Sequence, residues 1–127
     1  MAAGPTRENT MTLQNLGLLC LALMFVRAGV VHFMHFGAVA GMLRARRWPA
    51  PALLLAAGSL VQIVAGIGLL FAPTRAVSAG LLIGFTAAAS ITLLDFWHLT
   101  GRERTQPENA FFSNIAVCGG LLLAAAI

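Results

Sequence analysis

Four long apolar segments are the feature of this sequence that most limits its fold. They cover residues 13–36, 50–71, 76–97 and 110–127. A helix of about 20 residues, rising about 1.5 Å per residue, crosses a hydrocarbon layer about 30 Å thick. Because lipid offers no hydrogen-bond partner to an exposed backbone, we expect each segment to be an α-helix. The sequence therefore predicts an all-α membrane protein, a bundle of four transmembrane helices.

The shortage of charged side chains favours the same fold. Of the 127 residues, 59% are hydrophobic and 9% are charged, whereas a soluble domain has about 25% charged residues. Polar side chains are therefore too few to cover a water-soluble globule of this size. We predict that residues 13–127 form one transmembrane domain and that residues 1–12, which are polar and unpatterned, form a flexible tail before it.

The basic residues are all arginines, and most lie in the short connections between apolar segments. A nucleic-acid-binding protein would instead present a continuous basic face, so we expect no nucleic-acid partner. The first and third connections lie on one membrane side, and their arginines outnumber Arg7 and Arg75 on the other. The positive-inside rule then predicts a multi-pass protein of the bacterial inner membrane with both termini in the periplasm. The cytoplasmic arginines would be Arg44, Arg46, Arg47, Arg102 and Arg104.

Several polar side chains fall inside the apolar segments or at their ends. An ionisable group at membrane depth costs several kcal/mol unless it is paired or hydrated, so each one marks a candidate site. Most of them lie toward the membrane side that holds the first and third connections, and Gln62 lies about halfway along its segment. We therefore predict one intramembrane polar pocket, with Gln62 as its floor. Its members are Arg27, His32, His35, Gln62, Asp95, His98 and Asn114.

The charge pairing within this pocket has more than one solution. We expect Arg27, Gln62 and Asp95 to face the bundle interior, where Arg27 finds hydrogen-bond acceptors that lipid lacks. The simplest pair is Arg27 with Asp95, although their Cα atoms differ in depth by about 10 Å at helical rise. Alternatively, Asp95 serves His32 or His35 while Arg27 meets Gln62, backbone carbonyls or an anionic ligand. Interfacial positions for Asp95 and the histidines remain the plainer alternative.

Metal binding and aromatic stacking are the other uses of these residues. His32, His35 and His98, with Asp95 as an oxygen ligand, are ligand types that suit iron, copper or zinc. Their spacing is common near membrane surfaces, so the sequence does not favour a metal or haem. Trp97 follows Phe96 directly before a polar stretch, which favours an interface anchor over an aromatic contact for a cofactor.

Short motifs follow one another in a distinctive order along the four segments. They are Arg27 with Gly29, Pro49, Gln62 before Gly66 to Leu70, Phe96 with Trp97, and Phe112 to Asn114 before Gly119 to Leu122. Over about residues 16–125, their order and spacing resemble the DoxX family of small bacterial membrane proteins. Gln62 stands where that family usually has a glutamate, and Ser113 stands where a lysine commonly precedes the asparagine. The 32–35 stretch replaces a glycine followed by a lysine.

The resemblance implies a four-helix membrane protein of a family often labelled as oxidoreductases, with relatives similar to a subunit of thiosulfate:quinone oxidoreductase. The sequence has no Rossmann glycines, no CxxC pair and no haem-attachment motif. Electron transfer would therefore need a bound quinone or a partner protein.

We accordingly expect a membrane subunit of an oxidoreductase system that binds a quinone or another lipid-soluble ligand in the polar pocket. Arg27 would polarise a carbonyl oxygen, His32 or His35 would relay protons, and Asp95 would assist them. Gln62, Trp97 and Asn114 would contact the ligand. The alternatives are a non-enzymatic anchor or assembly partner with a structural polar core, and a small-solute transporter. Expected partners are membrane lipid and either another protein or further copies of the chain.

Overall fold

The computed structural model describes residues 6–127, and over that range the chain forms helices joined by short turns. Four of these helices, α1, α3, α4 and α5, are long and apolar enough to cross a membrane. The predicted all-α bundle of four transmembrane helices is therefore confirmed, and the chain is a multi-pass membrane protein. The elements are α1 (Arg7–Met34), α2 (Phe36–Ala45), α3 (Pro51–Gly68), α4 (Ala72–Leu93), a 3₁₀ turn (Phe96–His98) and α5 (Arg102–Ala126).

The first helix begins earlier than the sequence predicts. The Thr6 hydroxyl accepts a hydrogen bond from the backbone N–H of Asn9 at 3.1 Å, which caps the helix, and α1 starts at Arg7. Residues 7–12 of the predicted flexible tail are therefore helical, and residues 1–5 lie outside the described range. A threonine cap satisfies one of the free N–H groups of the first turn, so this polar stretch can extend the helix beyond its apolar part.

The first helix also ends earlier than predicted, because His35 interrupts it. The backbone of His35 adopts φ −111° and ψ 34°, and a separate helix, α2, follows from Phe36. Its N–H still donates to the carbonyl of Val31, and its carbonyl accepts from the N–H of Val39. The chain thus changes direction at one residue without leaving these backbone groups unpaired, and α2 covers the end of α3.

The third connection is shorter than predicted, because much of the polar stretch 98–109 is helical. The last helix begins at Arg102 rather than at residue 110 and contains Pro107. Arg104 donates from Nε to Glu108 Oε2 at 2.9 Å, an i, i+4 pair of the kind that supports an exposed helix. The guanidinium of Arg104 also lies 5.0 Å from the centre of the Phe96 ring, which anchors the 3₁₀ turn to this helix.

The second connection is a tight turn between α3 and α4. Pro73 lies in the first turn of α4, where its missing N–H leaves no hydrogen bond unmade. The Thr74 hydroxyl donates to the carbonyl of Gly68 at 2.8 Å, and Arg75 Nε donates to the carbonyl of Leu69 at 2.9 Å. These bonds satisfy carbonyls that the end of α3 leaves free.

Two apolar clusters hold the bundle together. The larger one lies near the α3–α4 turn, where α1, α3, α4 and α5 meet, and it contains Leu69, Leu82 and Leu121, all fully buried. The smaller cluster lies at the opposite end, where Ala40 and Leu43 of α2 pack on Leu55 of α3. The second end is covered by a short helix rather than by a full-length neighbour.

Candidate ligand-binding cavity

A cavity of about 420 Å³ lies beside the smaller cluster, between the end of α1, α2, α3 and α4. Its walls are almost entirely apolar, with Trp48, Leu55 and Phe85 among the larger side chains. The lining residues with polar side-chain atoms are His32, Trp48, Ser59 and Thr92. Ligand pockets of this kind combine an apolar wall with a few polar groups that fix orientation, and they range from about 300 to 1,000 Å³.

The backbone at the end of α2 places Trp48 in this wall. Arg47 has a positive φ of 62°. The N–H of Trp48 donates to the carbonyl of Leu43 at 3.1 Å, and the N–H of Arg47 donates to that of Arg44 at 2.9 Å. This pair of bonds around a left-handed residue is the Schellman motif, which commonly packs the residue after the left-handed one against the last turn of the helix. Trp48 and Leu43 accordingly line the cavity together.

A close approach of α1 and α3 brings His32 against Gln62. A Cβ atom added to Gly29 would lie 2.7 Å from the backbone oxygen of Ser59 and 2.6 Å from Ile63, so only glycine fits there. One turn later His32 Nδ1 lies 3.0 Å from Gln62 Oε1. Gln62 is buried and His32 is half-buried at the cavity wall. The hydrogen bond fixes the plane of the imidazole ring and leaves Nε2 for another partner.

Ser59 is the second polar group of the cavity. It is 1% exposed, and its hydroxyl has no hydrogen-bond partner among residues 6–127. A buried hydroxyl without a partner costs about 1–3 kcal/mol. Ser59 lies one helical turn from Gln62, so the unpaired hydroxyl and the His32–Gln62 pair belong to the same part of α3. The cavity wall therefore includes a residue with an unpaired hydroxyl, whose oxygen is covered by the surrounding atoms.

Arg46 ties α2 to the end of α4 at this end of the bundle. Its guanidinium donates to the backbone carbonyls of Thr92 at 3.1 Å and Leu93 at 3.4 Å, and to Asp95 Oδ1 at 3.3 Å. The carbonyls are among those that the last turn of α4 leaves free, and a cation is favourable at a helix C-terminus. Asp95 thus pairs with Arg46, so the predicted pairing with Arg27, or with His32 or His35, is wrong.

One side of the cavity opens toward lipid. Leu54 and Ala57 of α3 and Ala88 and Thr92 of α4 line it and are also exposed on the outer surface of the bundle. In a bilayer this surface faces acyl chains. A molecule dissolved in the membrane can therefore reach the polar groups without crossing water.

Arg27 does not face this cavity. It is exposed on the outer face of α1, and no other residue in the range 6–127 forms a hydrogen bond or an ion pair with it. The predicted inward orientation of Arg27 is therefore wrong, and the polarising role assigned to it has no support from this geometry. The register of α1 on α3 is set by Gly29, which turns Arg27, two residues earlier, to the other side of the helix.

The remaining predicted residues also lie outside the cavity lining. His35 is exposed at the break between α1 and α2. Asn114 donates from Nδ2 to the Ser90 hydroxyl at 2.9 Å, which clamps α5 to α4. Trp97 is 49% exposed and contacts Phe96 and Phe111 in an aromatic cluster at the membrane border. Within residues 6–127, His32 and Gln62 are thus the only two residues of the predicted set whose side chains are hydrogen-bonded to each other.

Metal-binding geometry is also absent from the described part of the chain, since no three His, Cys, Asp or Glu side chains of residues 6–127 converge. His98 is exposed in the 3₁₀ turn, and only its backbone N–H is bonded, to the carbonyl of Asp95.

Sequence reasoning missed most of the cavity wall. Trp48 and Phe85 are ordinary apolar residues in the sequence, and their convergence depends on the fold of α2 over α3. Ser59 carried a detectable signal, because it is a polar residue three positions before Gln62 in an otherwise apolar segment. Residues three apart lie on the same face of a helix, so the pair could have been recognised.

In three comparisons with known proteins, no family model, no curated protein and no solved structure matches the chain.

Proposed function

We propose that this chain is a DoxX-like membrane subunit of an oxidoreductase system that binds a quinone, or a similar lipid-soluble ligand with ring oxygens, in the cavity between α1, α2, α3 and α4. The observation that carries the proposal is the unpaired hydroxyl of Ser59 beside the His32–Gln62 pair, in a cavity that is otherwise apolar and open to lipid. A flat apolar molecule with one or two polar oxygens fits both features.

The His32–Gln62 pair suits both redox states of such a ligand. When Gln62 Oε1 accepts from His32 Nδ1, the other ring nitrogen, Nε2, is an acceptor and takes a hydrogen bond from a hydroquinone hydroxyl. When the amide of Gln62 is turned, its NH₂ donates to Nδ1 and the proton resides on Nε2, which then donates to a quinone carbonyl. His32 can therefore carry its proton on either ring nitrogen while it stays hydrogen-bonded to Gln62.

Fluorescence of the two tryptophans tests ligand binding, because Trp48 lines the cavity and Trp97 does not. In a Trp97→Phe variant reconstituted in vesicles, a short-chain benzoquinone should quench Trp48 with a saturable dependence on its concentration in the membrane. In a Trp48→Phe variant, quenching of Trp97 should rise linearly, as expected for random collisions. Linear quenching of Trp48 would contradict the proposal.

Two nearby histidines, His32 at the cavity and the exposed His35, provide a test variant and its matched control. Replacing His32 by leucine in the Trp97→Phe background should weaken quinone binding about fivefold, since one hydrogen bond contributes about 1 kcal/mol and 1.4 kcal/mol corresponds to a factor of ten. Replacing the exposed His35 by leucine should leave binding unchanged. Equal effects of the two replacements would remove His32 from the site.

We further propose that the protein resides in a bacterial inner membrane with both termini in the periplasm. Five of its eight arginines lie at the bundle end that holds Arg46 and Asp95, and the positive-inside rule favours that end in the cytoplasm. A periplasmic reporter fused after Ile127 should be active, and the same reporter inserted between Arg47 and Trp48 should be inactive. The reverse pattern of reporter activity would show that both termini lie in the cytoplasm and would contradict the proposed topology.

A further inference from the structure

The outer face of α1 carries a continuous line of exposed side chains, which we call the α1 seam. The spacing along it alternates between four and three residues, the period that keeps one side of a helix against a neighbouring helix in left-handed packing. The opposite face of α1, with Leu18, Phe25 and Gly29, is buried against the bundle. The members of the seam are Leu16, Cys20, Leu23, Arg27, Val30 and Met34.

Arg27 lies in the middle of this seam, at a depth where lipid cannot solvate it. It follows Leu16 by eleven residues and precedes Met34 by seven, about 16 Å and 10 Å along the axis at helical rise. Side chains on a helix tilt toward its N-terminus, so the stem of Arg27 leans away from the nearer end of the apolar segment. An arginine that faces acyl chains at this depth is unfavourable even by the mildest insertion scales.

No carboxylate of residues 6–127 pairs with Arg27. Asp95 pairs with Arg46 and Glu108 pairs with Arg104. The other two acidic residues, Glu8 and Glu103, lie in the first turns of α1 and α5, outside the apolar segments.

A second copy of the chain does not supply the missing group either. Two copies inserted in the same orientation and packed seam to seam would place Arg27 beside Arg27 at equal depth. Like charges at that distance repel, and the repulsion is strong where water is absent. Charge complementarity therefore favours an occupant of different sequence.

We propose that the α1 seam docks a transmembrane helix of another protein, and that this helix presents a carboxylate to Arg27 within the membrane. The apolar members of the seam supply the packing surface, and the single buried charge pair sets the register and selects the partner. This inference does not depend on the ligand of the cavity, because the seam and the cavity lie on opposite sides of α1.

Synthetic transmembrane helices test the proposal without knowledge of the natural partner. The full chain is reconstituted in phosphatidylcholine vesicles with an acceptor-labelled leucine-rich helix that carries one glutamate at mid-length, and energy transfer from the tryptophans reports association. The glutamate probe should bind about tenfold more tightly than the same helix with glutamine, a difference of about 1.4 kcal/mol. A probe with lysine should bind more weakly than either.

Two arginine variants locate the effect. Replacing Arg27 by leucine should abolish the preference for the glutamate probe, whereas replacing Arg7 by leucine, which removes a cation from the same helix at its exposed start, should preserve it. Equal affinity for the glutamate and glutamine probes, or an unchanged preference in the Arg27→Leu variant, would overturn the proposal.

Two alternative occupants of the seam, a second copy of the chain and a lipid phosphate, would give different results. In a Cys118→Ala variant, Cys20 is the sole cysteine and lies in the seam two turns before Arg27. Efficient Cys20–Cys20 cross-linking by a mild oxidant in the vesicles, persisting on dilution with lipid, would show a second copy and overturn the proposal. Loss of the glutamate preference when phosphatidylglycerol is added would assign Arg27 to lipid phosphate instead, with the same consequence.

Discussion

The two ends of the bundle are built differently. Near the α3–α4 turn, four helices meet and the leucines at positions 69, 82 and 121 are completely buried in one cluster. At the other end, the short helix α2 replaces a full-length neighbour, and a cavity of about 420 Å³ remains beside it. The packed end contains apolar contacts that specify the fold, whereas the open end contains the unpaired hydroxyl of Ser59 and the half-buried His32.

This difference separates a close-packed region from a region with room for a ligand within one small domain. A close-packed end tolerates little change in volume, because its atoms already touch on all sides. The open end has lost those contacts and contains a polar group whose cost nothing in residues 6–127 offsets. A bound ligand would supply the missing contacts. Substitutions at the packed end should therefore change mainly the free energy of unfolding, and substitutions at the open end should change mainly ligand binding.

The largest effect is expected at the packed end. Replacing Leu82 by alanine should lower the free energy of unfolding by about 2–5 kcal/mol, since it leaves a void among fully buried neighbours. Replacing Leu54, a partly exposed residue of the cavity rim, by alanine should lower the free energy of unfolding by about 0.5 kcal/mol. Thermal unfolding in mild detergent measures both variants. Equal losses would mean that the two ends are packed alike.

A smaller effect distinguishes two buried serines. Replacing Ser90 by alanine removes the acceptor of Asn114 and should destabilise the protein by about 1 kcal/mol, with no effect on quinone binding. Replacing Ser59 by alanine removes an unpaired hydroxyl and should leave the unliganded protein equally or more stable, while binding of the quinone weakens severalfold. Unfolding curves with and without the quinone give both quantities. Loss of stability in the Ser59→Ala protein without ligand would assign that hydroxyl a structural role.

The sequence predicted the bundle because the length and apolarity of a segment determine whether it spans a bilayer. It did not predict where the helices begin and end in polar stretches, because single side-chain contacts determine those boundaries. The Thr6 cap extends α1 by two turns, and the Arg104–Glu108 pair together with the Phe96 ring extends α5 through a stretch read as a loop.

The candidate site was only partly predictable, because rotation of a helix about its axis is poorly encoded when most of its faces are apolar. A soluble helix reveals its buried face by the position of its charges, but a membrane helix is apolar on both sides. The placement of Arg27 outside and His32 inside follows from the contact of Gly29 with α3, a property of the pair of helices. The cavity wall formed by Trp48 depends in turn on the break at His35, which no proline or glycine marks.

If the open end is a ligand site rather than a packing defect, filling the cavity must displace the ligand. Two nearby alanines of α4 test this most directly, because Ala89 lines the cavity whereas Ala87 is exposed and does not. The wild-type protein and the variants Ala89→Phe and Ala87→Phe would be purified in mild detergent, and the lipid-soluble molecules retained by each would be measured by mass spectrometry. We predict that the wild-type and Ala87→Phe proteins retain a quinone in near-stoichiometric amount and that the Ala89→Phe protein, folded but with the cavity filled, retains none. Equal amounts in all three, or no quinone in any, would contradict the account.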